Sequence, residues 1–387
     1  MKTDRRNFIR IAAASGTAMI TSGLTTRDFI ENGFSILSPV DGDMLTESDG
    51  TLVNGALVIP VRILAPAGSK IIINNLTPRF SDNMFSADVP IKDYKNIIEV
   101  TRPDTGQRQS LTIYWLKNLT NKYRLSLDDN IWFLKDISIN SNKYKSIFEN
   151  PYLGFLKKVH DTYGTKIHIN IYYQTEGFNL SQMTQKYKPE WKDNASWLRL
   201  SFHALQNDPD RPYQDAGYDQ VKKDCEMVKD QIKRFAGEEL MGPVTTLHWG
   251  AAKVEGCRAL RDAGYKALAG YFVVEKDQEP VSYYLDQDKK LNLSKRVAWK
   301  DHKEGIIFSR INIVINSHKL EEIAPYLDEI KKDPHRSAYM DVMIHEQYFY
   351  PTYTAYQPDY RQKVMTTVKW AAEKGYKPAF LSECLFS

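Results

Sequence analysis

The sequence predicts an α/β protein in which a (β/α) barrel of seven to eight strands follows a small all-β sandwich. Two observations predict this architecture. Residues 34–120 contain short apolar segments separated by turn residues, and from residue 123 strand-like and helix-like segments alternate. The chain has 387 residues, of which 42% are hydrophobic, so it is long enough for two domains and apolar enough to build their cores.

The first domain is predicted over residues 34–120. Apolar segments such as 56–64 and 110–116 alternate with Asp-Gly, Pro-Ala-Gly and Asn-Asn turns. Several short strands at such spacing are typical of a β-sandwich. The segment resembles the immunoglobulin-like modules that often precede catalytic domains in secreted carbohydrate enzymes.

The second domain is predicted over residues 123–387. Helix-like segments separate the apolar ones, and in 218–235 the residues Val221, Val228 and Ile232 recur at helical spacing. Repeated β-α units favour a parallel sheet, for which a barrel is the simplest closed form. The predicted strands are 125–129, 166–172, 197–203, 244–248, 266–272, 306–315, 340–345 and 378–382.

Residues 1–27 match a twin-arginine export signal. Arg5 and Arg6 are followed by an apolar pair and the basic residue Arg10, and then by an apolar stretch diluted with Ser, Thr and Gly. That stretch is too short and too polar for a spanning helix, so we predict no transmembrane span in the mature protein. We expect export by the twin-arginine route to the periplasm or cell surface; an amphipathic N-terminal helix is the alternative.

Charge and cysteine content exclude several classes of protein. Residues 1–27 carry five basic and one acidic side chain, a net charge of +4 that equals the charge of the whole chain. The mature protein is therefore near neutral, and we predict no nucleic-acid partner, which would need a basic face. The three cysteines are widely spaced and predict neither a disulfide framework nor a thiolate metal site.

Carboxylate and imidazole side chains end several of the predicted strands. The first strand ends in the pair Asp128-Asp129, and three others end at His203, His248 and His345. The C-terminal ends of barrel strands meet at one face, where catalytic residues lie. A catalytic zinc takes three N or O ligands and leaves a position for water. The pattern predicts a site for zinc or another divalent transition metal, although the Asp pair alone could also be an Asp-rich turn.

These motifs resemble the polysaccharide deacetylase superfamily, metal-dependent enzymes that remove N- or O-acetyl groups from glycans. The resemblance rests on Leu-Ser-Leu-Asp128-Asp129, on Ser-Phe-His203 and on Met-Ile-His345, which occur in the family's order. It implies that Asp128 is the catalytic base and that His345 is the acid for the leaving group. It also implies that Asp129 and His203 bind the metal, and that the substrate is a polysaccharide.

One position departs from the family pattern. Asn207 stands four residues after His203, where the family has its second ligand histidine, and a neutral amide binds zinc more weakly than imidazole does. We predict His248 as the third ligand, with Asp208 as the alternative.

Further residues are predicted to contact the substrate. Arg211-Pro-Tyr213 is similar to the family's Arg-x-Pro-Tyr motif, and Tyr348 begins an aromatic segment suited to stacking on sugar rings. The predicted substrate-binding residues are Glu176, Arg211, Tyr213, Trp249 and Tyr348.

Two other functions stay open at this point. A glycoside hydrolase on the same type of barrel would use two carboxylates, one from the Asp pair and one from Glu176, Glu346 or Glu383. A non-catalytic carbohydrate-binding relative would use the loops rich in Tyr and Trp.

Overall fold

The computed structural model describes residues 33–272 and 283–386. The predicted export signal lies outside the described residues. Within them, no helix is long and apolar enough to cross a membrane. The chain divides into two compact units between residues 115 and 116.

The first unit consists of two β-sheets that share one hydrophobic core. In the long strand Ala56–Leu64, Leu57, Ile59, Val61 and Ile63 are buried in alternation, because successive side chains of a strand point to opposite faces. One sheet has the order β1-β4-β7-β6, with β3 paired to β4, and the other has the order β2-β9-β8-β5. The strands are β1 Ser35–Ser38, β2 Met44–Leu45, β3 Thr51–Val53, β4 Ala56–Leu64, β5 Ile72–Ile73, β6 Arg79–Ser81, β7 Met84–Ile91, β8 Lys95–Arg102 and β9 Gln107–Trp115.

The second unit is a mixed α/β structure built on parallel sheets. One sheet has the order β14-β11-β10-β20-β19 with β21 also on β10, and all of its pairs are parallel. A second sheet has the order β15-β16-β18-β17, and β12 pairs with β13. The strands are β10 Lys122–Asn130, β11 Ile167–Tyr172, β12 Gln174–Thr175, β13 Phe178–Asn179, β14 Leu198–Ala204, β15 Val244–Thr245, β16 Ala267–Gly270, β17 Ala298–Asp301, β18 Ile306–Arg310, β19 Ile313–Val314, β20 Tyr339–His345 and β21 Lys377–Pro378.

Helices connect the strands of the second unit. The longest, Tyr218–Phe235, buries Val221, Val228 and Ile232 along one face, as its spacing predicts. The α-helices are Trp132–Ile139, Pro151–Tyr163, Lys188–Asp193, Tyr218–Phe235, Val254–Asp262, Gln287–Leu293, Leu320–Lys331, Pro334–Ser337 and Tyr360–Glu373.

Three features of the second unit differ from the prediction. The strand predicted over 244–248 stops at Thr245, and the chain then turns through Trp249 and Gly250, whose positive φ angles are incompatible with a strand. The strand predicted over 378–382 is only Lys377–Pro378, because Glu383 accepts the N–H of Phe380 and closes a 3₁₀ turn. Strand β17, which was not predicted, runs antiparallel to β18.

The parallel pairing places the C-terminal ends of β10, β11, β14 and β20 at one edge of the first parallel sheet. Asp128 is opposite His345 in the β10–β20 pair, and Ile171 is opposite Phe202 in the β11–β14 pair. No ladder among the described residues joins the two parallel sheets into one closed barrel. His248 follows β15 of the second sheet, so the group of Asp129, His203 and His248 draws on both sheets.

Candidate metal centre

The end of strand β10 departs from regular strand geometry at Asp129. Its φ is +62°, and the pairing with β11 shifts between Leu127 and Asn130. Asp tolerates this left-handed conformation better than most residues. The irregularity interrupts the alternation of the strand at Asp128 and Asp129. Asp128 is buried, whereas 12% of the Asp129 side chain is exposed.

Asp129, His203 and His248 converge on one point. Their ligand atoms all lie within 4.8 Å of one another. Asp129 Oδ1 lies 2.9 Å from His203 Nε2 and 3.1 Å from His248 Nδ1, and the two ring nitrogens are 3.2 Å apart. Atoms bound to one tetrahedral zinc at about 2.0–2.1 Å are about 3.3 Å from each other, so the spacing suits a common metal ion. The group includes His248 and not Asp208, the alternative third ligand.

Backbone carbonyls orient both imidazoles. His203 Nδ1 lies 2.5 Å from the Thr246 carbonyl oxygen, and His248 Nε2 lies 3.0 Å from that of Asn207. A carbonyl only accepts hydrogen bonds, so each of these nitrogens carries a proton and donates it. In neutral imidazoles, the lone pairs of His203 Nε2 and His248 Nδ1 therefore both face the Asp129 carboxylate. Such support from backbone carbonyls is what metal-ligating histidines usually have.

The electrostatics of the group favour a cation at this point. Burial would raise the pKa of Asp129, but hydrogen bonds from His203 and His248 outweigh burial and hold this pKa well below its usual range. Burial would lower the pKa of His203, but the Asp128 charge and the hydrogen bond to Asp129 outweigh it, so this pKa is raised. Without a metal, a proton on an imidazole takes the cation's place between the lone pairs.

Three further side chains surround the group, and two of them, Tyr172 and Gln347, were not among the predicted site residues. The Tyr172 hydroxyl donates a hydrogen bond to Asp129 Oδ1 and lies 3.0 Å from His248 Nδ1. Gln347 Nε2 donates to Asp129 Oδ2 at 3.1 Å. The Oδ1 of Asn207 lies 3.3 Å from the Tyr172 hydroxyl, so this residue borders the group without replacing a ligand histidine.

Asp128, the predicted base, lies in the interior next to this group. Asn170 Nδ2 donates to Asp128 Oδ1 at 2.7 Å. The other carboxylate oxygen has no hydrogen-bond partner among residues 33–272 and 283–386. The charge of Asp128 helps to raise the pKa of His203, so this carboxylate is close enough to influence that imidazole.

His345, the predicted acid, is held by Asn316. The Oδ1 of Asn316 accepts the backbone N–H of His345 at 3.1 Å and lies 2.9 Å from its Nδ1. Because this atom accepts a backbone N–H, it is an oxygen, and Nδ1 must donate to it. The free Nε2 lies 4.0 Å from Asp129 Oδ2, and 24% of the His345 side chain is exposed. Asn316 follows a two-residue strand within the predicted segment 306–315, so its position could not be inferred from spacing.

The predicted substrate-binding residues occupy different environments. Trp249 is 46% exposed, directly follows His248, and its ring lies 5.7 Å from the guanidinium of exposed Arg211. The Tyr348 ring lies 6.1 Å from that of His345. Glu176 is exposed, and its backbone carbonyl accepts Lys135 Nζ.

Tyr213 is not brought to the open face. The residue is fully buried in the hydrophobic core of the second unit. Its hydroxyl accepts the N–H of Leu205 at 2.9 Å and donates to Asp224 at 3.2 Å, and these two bonds hold the loop after β14. Its contacts are structural.

Comparisons with known proteins add only distant likenesses. No family model matches the sequence, and the comparison with curated proteins gave no match. The chain is similar to a crystal structure described as a polysaccharide deacetylase from Mycobacterium smegmatis, at 10% identity and a TM-score of 0.39, covering 69% of this chain and 89% of that one. It is also similar to Agd3, described as a novel carbohydrate deacetylase, at 8% identity and a TM-score of 0.37, covering 89% of this chain and 69% of that one. At scores this low the likenesses do not establish a shared fold, and the function proposed below rests on the site.

Proposed function

We propose that this protein is a metal-dependent hydrolase that removes acetyl groups from a polysaccharide. One observation carries the proposal: the carboxylate of Asp129 and the lone pairs of two carbonyl-anchored imidazoles, His203 and His248, face one another with no basic side chain in the group. Two imidazoles and one carboxylate suit zinc or another divalent transition metal, and three protein ligands leave room for water. When bound, such a metal would polarise the acetyl carbonyl and lower the pKa of the attacking water.

Asp128 is the base in this proposal. Water adds its oxygen to the acetyl carbon, and its proton passes to a carboxylate oxygen. Asn170 fixes one oxygen of Asp128, and the other has no partner in the described part of the chain. The burial of this side chain keeps bulk water away from the proton transfer.

His345 is the acid. In this step His345 is the imidazolium, in which Nδ1 keeps its proton on Asn316 and Nε2 carries the second proton. As the bond between the acetyl carbon and the sugar nitrogen or oxygen breaks, the leaving atom takes the Nε2 proton. Asn316 anchors Nδ1, so Nε2 is the nitrogen directed at the site. Nε2 lies 4.0 Å from Asp129 Oδ2, so the proposed acid is next to the proposed metal ligands.

The finer architecture belongs to the same proposal. Strands β14 and β15 lie side by side without a ladder, since Ser201 Oγ donates to the Val244 carbonyl and Thr245 Oγ1 to that of Phe202. These bonds support a single deacetylase-like barrel made from the two parallel sheets. An immunoglobulin-like first domain and export to the periplasm or cell surface rest on the sequence alone.

The two-carboxylate alternative has three predicted partners for the Asp pair, of which Glu176 is exposed and the other two are engaged or distant. Both oxygens of Glu346 accept backbone N–H groups, those of Ile131, Trp132 and Phe133, at 2.6–3.0 Å. Glu383 follows β21, which pairs with the first residues of β10, and so lies near the opposite end of that strand. No observation favours a glycoside hydrolase.

Metal content is the decisive test. We expect the purified protein to bind one equivalent of zinc, cobalt, nickel or manganese, and Asp129→Ala to lose it. His160→Gln is the matched control, because this imidazole stacks on Trp197 away from the group. Acetate release from acetylated glycans then tests the reaction. If the native chain takes up no metal on titration, the proposal is wrong.

A further inference from the structure

Gln347 lies against the metal ligands in a fixed orientation. It follows the acid His345 by two residues, and only 7% of it is exposed. Its Nε2 donates to Asp129 Oδ2 at 3.1 Å and to Asn207 Oδ1 at 3.4 Å. Both acceptors are oxygens without a hydrogen to donate, since the Asp129 carboxylate is ionised. The NH₂ group of Gln347 must therefore face them, and its amide cannot be flipped. The remaining atom at the site is therefore the carbonyl oxygen, Oε1.

That oxygen is buried and has no hydrogen-bond partner among residues 33–272 and 283–386. Buried side-chain acceptors are almost always satisfied, and an exception in a site requires an explanation. The atom is closed to bulk solvent, so its donor has to come from a group inside the site. A ligand that is held by the neighbouring groups can displace the side chains around Oε1 and bring a donor to it.

We propose that Gln347 Oε1 accepts the N–H of an acetamido group, and that the protein is therefore selective for N-acetylated over O-acetylated sugars. This inference rests on the function proposed above. An acetamide carries an N–H next to the carbonyl carbon that is attacked, whereas an acetyl ester has an oxygen without hydrogen at that place. A site that leaves a buried acceptor for this hydrogen rejects the analogue that lacks it, since the acceptor then stays unpaired.

The location of Gln347 agrees with this role. His345 protonates the leaving atom in the proposed reaction, and in an acetamide that atom is the nitrogen that bears the N–H. Gln347 is on the same segment as His345 and contacts the same carboxylate oxygen, Asp129 Oδ2. The acceptor for the N–H and the acid for its nitrogen therefore approach the leaving group together.

The test compares one variant on two substrates. Gln347→Met keeps the length of the side chain but has no comparable acceptor. We expect this variant to lower kcat/KM for the N-acetylated substrate chitotetraose about ten- to hundredfold relative to the native chain. Gln347→Met also loses the hydrogen bond that Gln347 donates to Asp129, and this loss affects both substrates equally. Apart from this shared effect, kcat/KM for O-acetylated xylotetraose should change by less than about threefold. The ratio of the two losses in kcat/KM therefore isolates the effect of the missing acceptor.

Controls separate this inference from the proposed function. Gln231→Met, on an outer helix, should leave both rates unchanged, and the metal content of each variant is measured alongside. Titration calorimetry of chitotetraose with the metal-free protein should show weaker binding by Gln347→Met. Equal losses on both substrates, or no loss on either, would overturn the selectivity. Metal-loaded protein that hydrolyses neither substrate would instead overturn the proposed function, and the calorimetric titration would still decide the role of Gln347.

Discussion

Strands β10, β11, β14 and β20 carry two polar clusters, one in the interior of the sheet and one at its C-terminal edge. Each strand contributes one residue to each cluster. The interior cluster consists of Arg124, His168, Ser201 and Asp341, and the edge cluster of Asp129, Tyr172, His203 and His345, joined by His248.

The interior cluster satisfies itself. Arg124 donates to both oxygens of Asp341 at 2.8 and 3.0 Å and to His168 Nδ1 at 2.7 Å. His168 Nε2 then lies 2.6 Å from Ser201 Oγ. Burial, with the nearby Arg124 charge, holds the pKa of His168 well below its usual range, so this ring is a neutral acceptor.

The edge cluster has a carboxylate and three imidazoles but, within the described part of the chain, no arginine or lysine. Donors and acceptors balance in the interior, whereas acceptors are in excess at the edge. A buried His-Asp group therefore indicates a ligand site only when no Arg or Lys side chain in it balances the carboxylate. In the interior group the guanidinium supplies that charge, and at the edge a proton or a metal ion must supply it.

The largest expected effect is on stability, from Asp341→Ala. This change leaves the Arg124 charge buried and unpaired, so we expect a loss of about 3–5 kcal/mol in the free energy of unfolding. Urea denaturation of the metal-free protein measures it. The matched change at the edge, Asp129→Ala, should lower the stability by much less. Equal losses would contradict the difference between the two clusters.

The second effect is stabilisation by metal. A ligand at a hundredfold excess over its Kd raises the free energy of unfolding by about 2.7 kcal/mol. We expect zinc to raise the Tm of the native chain accordingly, and to leave that of Asp129→Ala unchanged. A zinc response that persists in this variant would place the metal elsewhere.

The third effect concerns the orientation of His345. Asn316→Ala removes the acceptor that fixes its Nδ1, so we expect kcat for acetyl release to fall about tenfold or more, within the range that a positioned acid contributes. Metal content should stay at one equivalent, because Asn316 does not contact the metal ligands. A parallel loss of metal and rate would show that the residue supports the whole edge instead.

The smallest effect is a pH dependence. The raised pKa of His203 means that the folded, metal-free protein binds this proton more tightly than the unfolded chain does. The contribution of His203 to the free energy of unfolding is fully present below the ordinary histidine pKa of about 6.5. It is lost as the pH rises through the raised pKa. Urea denaturation of the metal-free protein should show the free energy of unfolding falling across that window. This fall should be absent in His203→Gln. A free energy of unfolding that rises with pH across the same window would contradict the prediction.

The sequence was informative where a polar side chain follows a strand-like segment. Asp129, His203, His248 and His345 were each placed at the end of a predicted strand, and the structure brings these four side chains together, although the strand before His248 stops at Thr245. His248 was preferred over Asp208 as the third metal ligand because imidazole is the better zinc ligand.

The residues that escaped prediction act through irregular backbone or through bonds made over long chain separations. Asn316 and Gln347 lie in 3₁₀ turns, which have no periodic pattern to detect. Tyr213 was predicted to contact the substrate because of a motif. In the structure it is buried, and its hydroxyl donates to Asp224, a partner that the motif does not reveal. The division of the parallel strands into two sheets depends on where ladders end, and apolar runs do not encode that.

The positive φ of Asp129 restricts how this site can evolve. A β-branched or long side chain at such a backbone position is strained by about 1–3 kcal/mol, whereas Asp, Asn and Gly tolerate it. Of these three, only Asp offers a charged ligand. A change to the longer carboxylate of Glu would therefore be penalised by the main chain before any metal is bound, so Asp is expected to be kept as the carboxylate at this position.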